Sequence, residues 1–298
     1  MKKMTACVFA LLTVACGDGT DDRCVDGVYD GNAVLTRDGF VFETYQSLLS
    51  PGSREVVPYS AAPFRSCCVL GGILMQSADA VLDSEHYPLL EELGFITIEP
   101  LDNGGPRIVD DLSGFDDVVR FGGIGNPWDL ERVASVGEIS GFNSVEVIEG
   151  SLRVTADLTG FASLRDIEGS AYAATFPPGL RTVGDSLQVG GYLTEPGLPN
   201  LERIGGDLLV QLTQMTEIGF PALQRVGGDL ILDGNDRLER WGGLRPGSSV
   251  GGGFDGTFNS PIRDEDLEAW VASGATTIAG PIRICANQSE GVRTCSEQ

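Results

Sequence analysis

The sequence is poor in the residues that most enzymes use for nucleophilic and metal chemistry. His86 is the only histidine among the 298 residues, and no two cysteines have the CxxC spacing. A zinc site is not expected, because zinc ligands come mainly from cysteine and histidine. A nucleophile could use only His86 as its base, and the neighbouring Glu85 and Tyr87 indicate an ordinary surface position at the start of a helix.

Phosphate-binding and strongly basic segments are absent as well. No Walker loop occurs, and the glycines within residues 122–125 lack the strand–helix context of a dinucleotide site, so we interpret them as a backbone corner. The formal net charge is −23. So acidic a chain would repel the phosphates of nucleic acid and anionic lipid headgroups. No nucleic-acid partner is therefore expected.

A short phrase recurs over residues 145–241. In each copy two apolar residues flank a mostly polar pair, a glycine-containing turn follows, and two alternating apolar residues end the phrase. The copies begin at Val145, Leu164, Leu180, Leu201 and Leu223. Self-similarity at a period of roughly 20 residues predicts a solenoid, whose coils bury their apolar faces against one another. A β-sandwich is the alternative, although it would not need the same glycine corner in every strand.

Strand alternation within the phrase predicts which side chains face the core. Leu208 and Leu230 are expected to face inward, whereas the following residues, Leu209 and Ile231, face outward. The glycine pair before each strand is expected to adopt positive φ at a tight corner. The outward row predicted to form a binding face is Arg153, Tyr172, Gln188, Leu209 and Ile231, and the next outward row is Thr155, Ala174, Gly190, Gln211 and Asp233.

The phrase resembles the receptor L-domain, a solenoid related to leucine-rich repeats and found in growth-factor receptor ectodomains and other surface proteins. The resemblance implies a mainly β chain, folded as a right-handed parallel β-solenoid with one or two short helices. Two features depart from the family. The asparagine expected after the strand is mostly missing, Asn235 being the nearest case, and the cysteine-dense modules that flank receptor L-domains are absent. Receptor-like signalling is therefore not expected.

The N-terminal segment predicts export. Lys2 and Lys3 precede an uncharged apolar run that ends at Val14. The run is too short to span a bilayer as a helix, so we interpret residues 1–15 as a secretory signal peptide.

The end of this run resembles the lipobox of bacterial lipoproteins, because small Ala15 stands directly before Cys16. The resemblance implies that Cys16 is lipidated, that residues 16–23 form a polar tether, and that the lipid anchors the protein in a membrane. Gly17 favours the outer membrane, since an acidic residue there often signals retention at the inner one. Ordinary cleavage near Ala15, with a free Cys16, is the alternative.

The remaining cysteines suit an exported protein, since disulfides form in oxidising compartments. A disulfide between the cysteines near the C terminus could stabilise the last coil, and a disulfide between those near the N terminus could stabilise the first coils. The expected pairs are Cys285 with Cys295, and Cys24 with either Cys67 or Cys68.

Weaker copies of the phrase near both ends favour one solenoid domain over residues 24–298. We divide it into irregular N-terminal coils (24–107), regular repeats (108–244), and a C-terminal part with a glycine-rich loop, a helix and a final coil (245–298). Helices are predicted over residues 84–94 and 264–272, and a flexible glycine-rich loop over residues 242–256.

The expected function is that of a non-enzymatic cell-envelope protein whose sheet binds protein or glycan in adhesion or recognition. A polysaccharide-active enzyme with a carboxylate pair is one alternative, although 43 acidic residues make chance pairs certain. A structural envelope component is another. No cofactor is expected. Calcium at Asp207 and Asp229 is disfavoured, because the Gly-Gly-x-Gly-x-Asp phrase of calcium-binding coils is missing and aspartate is common in turns.

Replacing Cys16 with serine tests the lipid attachment. Because the acyl chains would provide the anchor, Cys16→Ser is expected to leave the membrane fraction or to remain unprocessed. Membrane fractionation and electrophoretic size measure this, and Cys7→Ser, within the signal peptide, is the control. A Cys16→Ser chain that fractionates and migrates like the unaltered chain would contradict the prediction.

Overall fold

The computed structural model of the chain describes residues 28–35, 40–43, 56–57, 69–75, 90–98, 108–112, 115–125, 135–139, 141–155, 158, 160–173, 175–190, 198–285 and 296–297. Within these residues the chain is mainly β, with 26 strands and one helix. The predicted signal peptide, tether and N-terminal cysteines lie outside the described residues, as do His86, Ala174 and Cys295.

The strands are short and follow one another closely along the chain. They are β1 (Val28–Leu35), β2 (Phe40–Glu43), β3 (Val56–Val57), β4 (Val69–Met75), β5 (Glu92–Ile98), β6 (Ile108–Leu112), β7 (Arg120–Phe121), β8 (Ile124–Gly125), β9 (Ser135–Ile139), β10 (Val147–Ile148), β11 (Leu152–Arg153), β12 (Asp166–Ile167), β13 (Ala171–Ala173), β14 (Thr182–Val183), β15 (Leu187–Gly190), β16 (Arg203–Ile204), β17 (Leu208–Gln211), β18 (Glu217–Phe220), β19 (Arg225–Val226), β20 (Leu230–Asp233), β21 (Arg240–Leu244), β22 (Ser248–Val250), β23 (Phe254–Thr257), β24 (Thr276–Ile278), β25 (Ile282–Cys285) and β26 (Ser296–Glu297). The helix α1 spans Asp264–Ala272.

Most strands pair in parallel with the equivalent strand of the next repeat. Strands that precede the glycine corner form the first ladder: β7, β10, β12, β14, β16, β19, β22 and β24. Strands that follow the corner form the second ladder: β8, β11, β13, β15, β17, β20, β23 and β25. The longer strand β5 pairs with the first strand of both ladders. This arrangement is consistent with a parallel β-solenoid.

Other pairings complete the sheets. The strands β6 and β9 form a separate parallel pair, and so do β18 and β21. At the N-terminal end β2 pairs antiparallel with β1 and with β3, and at the C-terminal end β26 pairs antiparallel with β25.

The core consists of inward side chains stacked from repeat to repeat. Leu187, Leu208 and Leu230 are register partners, and each is 0% exposed. Leu209 and Ile231 are partly exposed, so the predicted alternation is confirmed. Aromatic rings stack in the same way earlier in the chain, where the ring centroid of Phe142 lies 4.9 Å from those of Phe115 and Phe161.

Successive repeats approach closely at the glycine corner. A Cβ on Gly227 would lie 1.9 Å from the carbonyl oxygen of Gly205, and a Cβ on Gly205 would lie 1.9 Å from that of Gly184. The prediction of positive φ at this corner is wrong, because neither Gly205 nor Gly227 has a positive φ angle. At Gly205 and Gly227 the corner requires glycine, because the neighbouring backbone leaves no room for a side chain.

A buried polar ladder follows the second ladder of strands. Thr213, Asn235 and Asn259 are each 0% exposed. The Asn235 side chain donates to the carbonyl of Val210 at 2.9 Å and to Oδ1 of Asn259 at 2.7 Å, and it accepts from the Thr213 hydroxyl at 2.8 Å. The asparagine that the sequence shows clearly only at Asn235 therefore recurs one repeat later, and threonine occupies the position one repeat earlier.

The helix predicted over residues 264–272 is confirmed as α1. Leu267 is 0% exposed. The ring of Trp270 meets Trp241 edge-on at 5.5 Å and Phe254 at 5.2 Å between centroids. At the first turn, a hydrogen bond from Arg263 lowers the pKa of the Asp266 carboxyl.

The helix predicted over residues 84–94 is wrong at its C-terminal end, where residues 92–94 belong to β5. Residues 84–89 lie outside the described residues. Leu93 is the register partner of Leu70 and Phe121, and it is 2% exposed. Leu90 and Leu93 are three residues apart, a spacing that also fits one helix face, so the local pattern does not separate helix from strand here.

The flexible loop predicted over residues 242–256 is also wrong, because this segment holds β22, most of β23 and the end of β21. Val250 and Phe254 are each 1% exposed. A Cβ on Gly251 would lie 2.3 Å from the carbonyl oxygen of Gly227, as at the preceding corners. So many glycines and serines obscured a complete repeat in the sequence.

The contrast between neighbouring leucines of β17 can be measured. Leu208→Ala is expected to lower the free energy of unfolding by about 2–5 kcal/mol, because it leaves a cavity between Leu187 and Leu230. Leu209→Ala is expected to lower it far less, because that side chain is partly exposed. Chemical denaturation of both variants checks this, and similar losses would refute the inward and outward assignment.

Candidate binding face

The structure brings the five predicted binding residues into one row. Arg153 pairs with Tyr172, Tyr172 with Gln188, Gln188 with Leu209, and Leu209 with Ile231 in the second ladder. Each of the five is partly exposed. Neighbouring strands in a sheet lie about 4.8 Å apart, so the row presents one side chain per repeat at a regular spacing. We call these five residues the outer row.

The register extends the outer row at its C-terminal end. Ile231 pairs with Asp255, and Asp255 pairs with Arg283. The Arg283 guanidinium lies 3.5 Å from Oδ2 of Asp255. The two partly exposed aliphatic side chains of the row are therefore followed directly by an ion pair.

Local packing positions the one aromatic ring of the outer row. A Cβ on Gly190 would lie 3.9 Å from Cε2 of Tyr172, so the ring lies beside a residue without a side chain. Gly190 itself is buried, and it pairs with Gln211 of the next repeat. The second predicted outward row is therefore not exposed along its whole length. Gly190 is buried, Gln211 and Asp233 are partly exposed, and Thr155 is exposed.

Two exposed apolar residues at the end of this face were missed by the sequence reasoning. Leu212 and Phe258 are 66% and 58% exposed. Their φ angles are 53° and 54°, and they are the positive-φ residues other than glycine in the described part of the chain. Gly234 stands at the equivalent position of the intervening repeat with φ 65°. The sequence contains a signal for these positions, because Leu212, Gly234 and Phe258 directly precede the residues of the buried polar ladder, Thr213, Asn235 and Asn259.

The left-handed conformation is costly for Leu212 and Phe258, because a Cβ crowds the following carbonyl, at about 1 kcal/mol per residue. The chain adopts it there so that the next side chain can turn inward to the polar ladder. A Cβ on Gly234 would lie 2.9 Å from Cδ2 of Leu212, so the leucine side chain extends over the glycine towards the repeat that carries Phe258. These two residues expose apolar surface that the fold does not require.

The acidic corners have a structural role. Oδ1 of Asp207 accepts the backbone N–H of Asp229 at 2.8 Å, and Oδ1 of Asp229 accepts that of Gly253 at 2.6 Å. One repeat earlier the Ser186 hydroxyl accepts the N–H of Asp207 at 3.1 Å. Each carboxylate therefore satisfies an amide of the next repeat.

Glutamates surround one arginine of the first ladder. Arg120 donates to Oε1 of Glu149 at 2.7 Å and to Glu92 at 3.3 Å. The hydrogen bond with Glu149, reinforced by the nearby charges, raises the pKa of the Arg120 guanidinium.

The described residues contain no group of three or more histidine, cysteine, aspartate or glutamate side chains arranged to hold a metal ion. Cys285 is disulfide-bonded, and its expected pairing with Cys295 stays a prediction. No helix among the described elements combines the length and apolarity needed to cross a membrane.

Comparison of the chain with family models, with curated proteins and with solved structures finds no match.

Asparagine substitutions test whether Leu212 and Phe258 serve stability. Asparagine tolerates the left-handed region, so Leu212→Asn and Phe258→Asn are expected to leave the free energy of unfolding unchanged or to raise it by up to about 1 kcal/mol. Val119→Asn is the control, because Val119 is 51% exposed but does not have positive φ. If denaturation shows a loss at both positions, the two side chains contribute packing to the folded chain.

Proposed function

We propose that this chain is a lipid-anchored, non-enzymatic protein of the cell envelope whose outer row binds a protein or glycan partner. The observation that carries the proposal is the register of the outer row, in which Arg153, Tyr172, Gln188, Leu209 and Ile231 share one sheet face. Adjacent, partly exposed aliphatic residues are unusual on a chain of net charge −23.

The proposal includes a right-handed parallel solenoid similar to the receptor L-domain. The parallel registers, the glycine corners and the asparagine ladder support this arrangement. Right-handedness is expected because connections between parallel strands of one sheet are right-handed in nearly all proteins. Solenoids commonly bind partners on such an extended face.

The composition of the outer row suits recognition. Tyrosine and arginine are enriched among residues that dominate binding energy, because each combines a large contact area with polar groups. Gln188 adds an amide between the aromatic and aliphatic parts of the row. Partner binding would cover Leu209 and Ile231 and would remove their apolar surface from water.

The N-terminal sequence supports the membrane attachment in this proposal. Lipid on Cys16 would hold the protein at a membrane, and the outer membrane is the expected location. The residues between Cys16 and β1 would connect the anchor to the folded repeats. In this arrangement the lipid holds the binding face at the envelope.

Polysaccharide cleavage is the second candidate, and the positions of Asp233 and Asp255 favour it. These residues lie on the adjacent strands β20 and β23, two register positions apart. Inverting glycosidases use carboxyl groups about 6.5–9.5 Å apart, a separation that diagonal neighbours can provide. Asp233→Asn and Asp255→Asn should then abolish cleavage in a panel of polysaccharide digests, and a panel that shows no cleavage by the unaltered chain excludes this candidate.

The binding proposal is tested with Leu209→Asp/Ile231→Asp on a glycan array and against a displayed peptide library. The double variant is expected to lose the signals of the unaltered chain, because two charges would replace the apolar contact. Val119→Asp, at an exposed position on the first ladder's side of the repeat, should retain them. Thermal unfolding of the double variant should stay near that of the unaltered chain. Unfolding at a much lower temperature would show that the row is covered core, and the proposed face would be wrong.

A further inference from the structure

A second row of outward side chains runs along the first ladder, on the other side of the glycine corner. Its register partners are Asp166, Thr182, Arg203, Arg225, Ser249 and Thr277. Arg203 and Arg225 are direct partners on neighbouring strands, and both are exposed. Like charges placed directly opposite each other across a strand pair destabilise a sheet.

Two arginines in or beside the same ladder are paired with acids. Arg120 binds Glu92 and Glu149, and Arg165 lies 4.0 Å from Glu146. Among the described residues, no carboxylate oxygen lies within ion-pair distance of Arg203 or Arg225. Unlike Arg120 and Arg165, Arg203 and Arg225 are direct register partners of each other and have no acidic partner among the described residues.

The surroundings of the pair offer hydrogen-bond donors. The exposed hydroxyl residues Ser249 and Thr277 continue the row beyond Arg225. Towards the corner, Gly205 and Gly227 follow the arginines at a distance of two residues and contribute no side chain. Such a row is complementary to a partner that supplies oxygen acceptors and negative charge, since guanidinium groups bind planar oxyanions through two hydrogen bonds.

We propose that Arg203 and Arg225 bind an acidic polysaccharide that runs along the stack of repeats. The two cations are separated by one strand spacing, about 4.8 Å, in the direction of stacking. A linear polymer with acid groups at regular intervals can meet both of them at once. The proposed surface is separate from the outer row and goes beyond the binding function proposed above.

Other anionic partners fit the surface less well. A protein partner needs a central apolar anchor, whereas this row offers only guanidinium and hydroxyl groups around the pair. An anionic bilayer would extend far beyond two arginines and would meet a chain of net charge −23. A polysaccharide contacts only a narrow strip of the surface, so the acidity elsewhere opposes its binding less strongly.

The test measures binding of the purified exported chain to polygalacturonate, dextran sulfate and neutral dextran by calorimetry at low ionic strength. The two acidic polymers distinguish carboxylate from sulfate as the preferred group. Binding to at least one of them, but not to dextran, is expected, and it should weaken as salt is added. Arg203→Gln/Arg225→Gln should bind at least about tenfold more weakly, because two charge-assisted contacts are lost.

Arg237→Gln/Arg245→Gln is the matched control, since both arginines are exposed and the variant changes the net charge by the same amount. It should bind within about twofold of the unaltered chain. Arg203→Lys/Arg225→Lys keeps the charge and should bind with intermediate affinity, because lysine cannot form the paired hydrogen bonds of a guanidinium group. The thermal unfolding temperature of the glutamine variant should not fall, because the repulsion between the two guanidinium groups is removed.

Two outcomes would overturn the proposal. The first is that neither acidic polymer binds, and binding to phosphatidylglycerol vesicles in that case would identify a membrane surface instead. The second is an equal loss of affinity in the glutamine variant and its matched control. None of these results depends on Leu209 or Ile231, so the outer-row proposal is tested separately.

Discussion

The close approach of successive backbones at the glycine corner is the constraint on which the other features of this chain depend. A Cβ on Gly205 or Gly227 would lie 1.9 Å from the carbonyl oxygen of the glycine one repeat earlier. At these two positions the repeats can stack this closely because the side chain is absent. Because the corner fixes where each repeat turns, it also fixes the register of the strands on both sides, and inward residues such as Leu208 and Leu230 meet as direct partners.

Side-chain hydrogen bonds to the backbone of the neighbouring repeat stabilise the same strand register. Asp207 and Asp229 accept backbone N–H groups of the following repeat at the corner, whereas Asn235 and Asn259 donate to carbonyls of second-ladder strands in the preceding repeat. A buried amide or carbonyl without a partner would be costly, so these side chains stabilise the stacking as well as the turns. Part of the acidity of the chain therefore has a structural origin.

Regular stacking also converts single outward positions into continuous rows. The second ladder carries the outer row, with adjacent Leu209 and Ile231, and the first ladder carries adjacent Arg203 and Arg225. Neither pair is needed for the core. Leu212 and Phe258 add exposed apolar surface at a strained turn, although glycine occupies the same turn at Gly234. Such departures from local stability concentrate where a surface has a function.

Local pattern alone determined much of the fold. Period-two alternation predicted that Leu208 faces inward and Leu209 outward, and acids followed by apolar residues and a terminal glycine predicted α1 with the observed bounds. The aligned outer row followed from the same alternation once the repeats were superposed. These features depend on residues close together in the chain, so the sequence contains the information needed to predict them.

Other features were decided only by contacts between repeats. Residues 92–94 are strand because Leu93 packs between Leu70 and Phe121, although the local spacing suits a helix. The corner glycines are required by a neighbouring carbonyl, and no local φ preference reveals this. The repeat within residues 242–256, the polar ladder through Asn259 and the exposure of Leu212 also became visible only in the tertiary structure. In each case the deciding atom belongs to the adjacent repeat, roughly 20 residues away in the chain, and only the stacking of repeats brings it into contact.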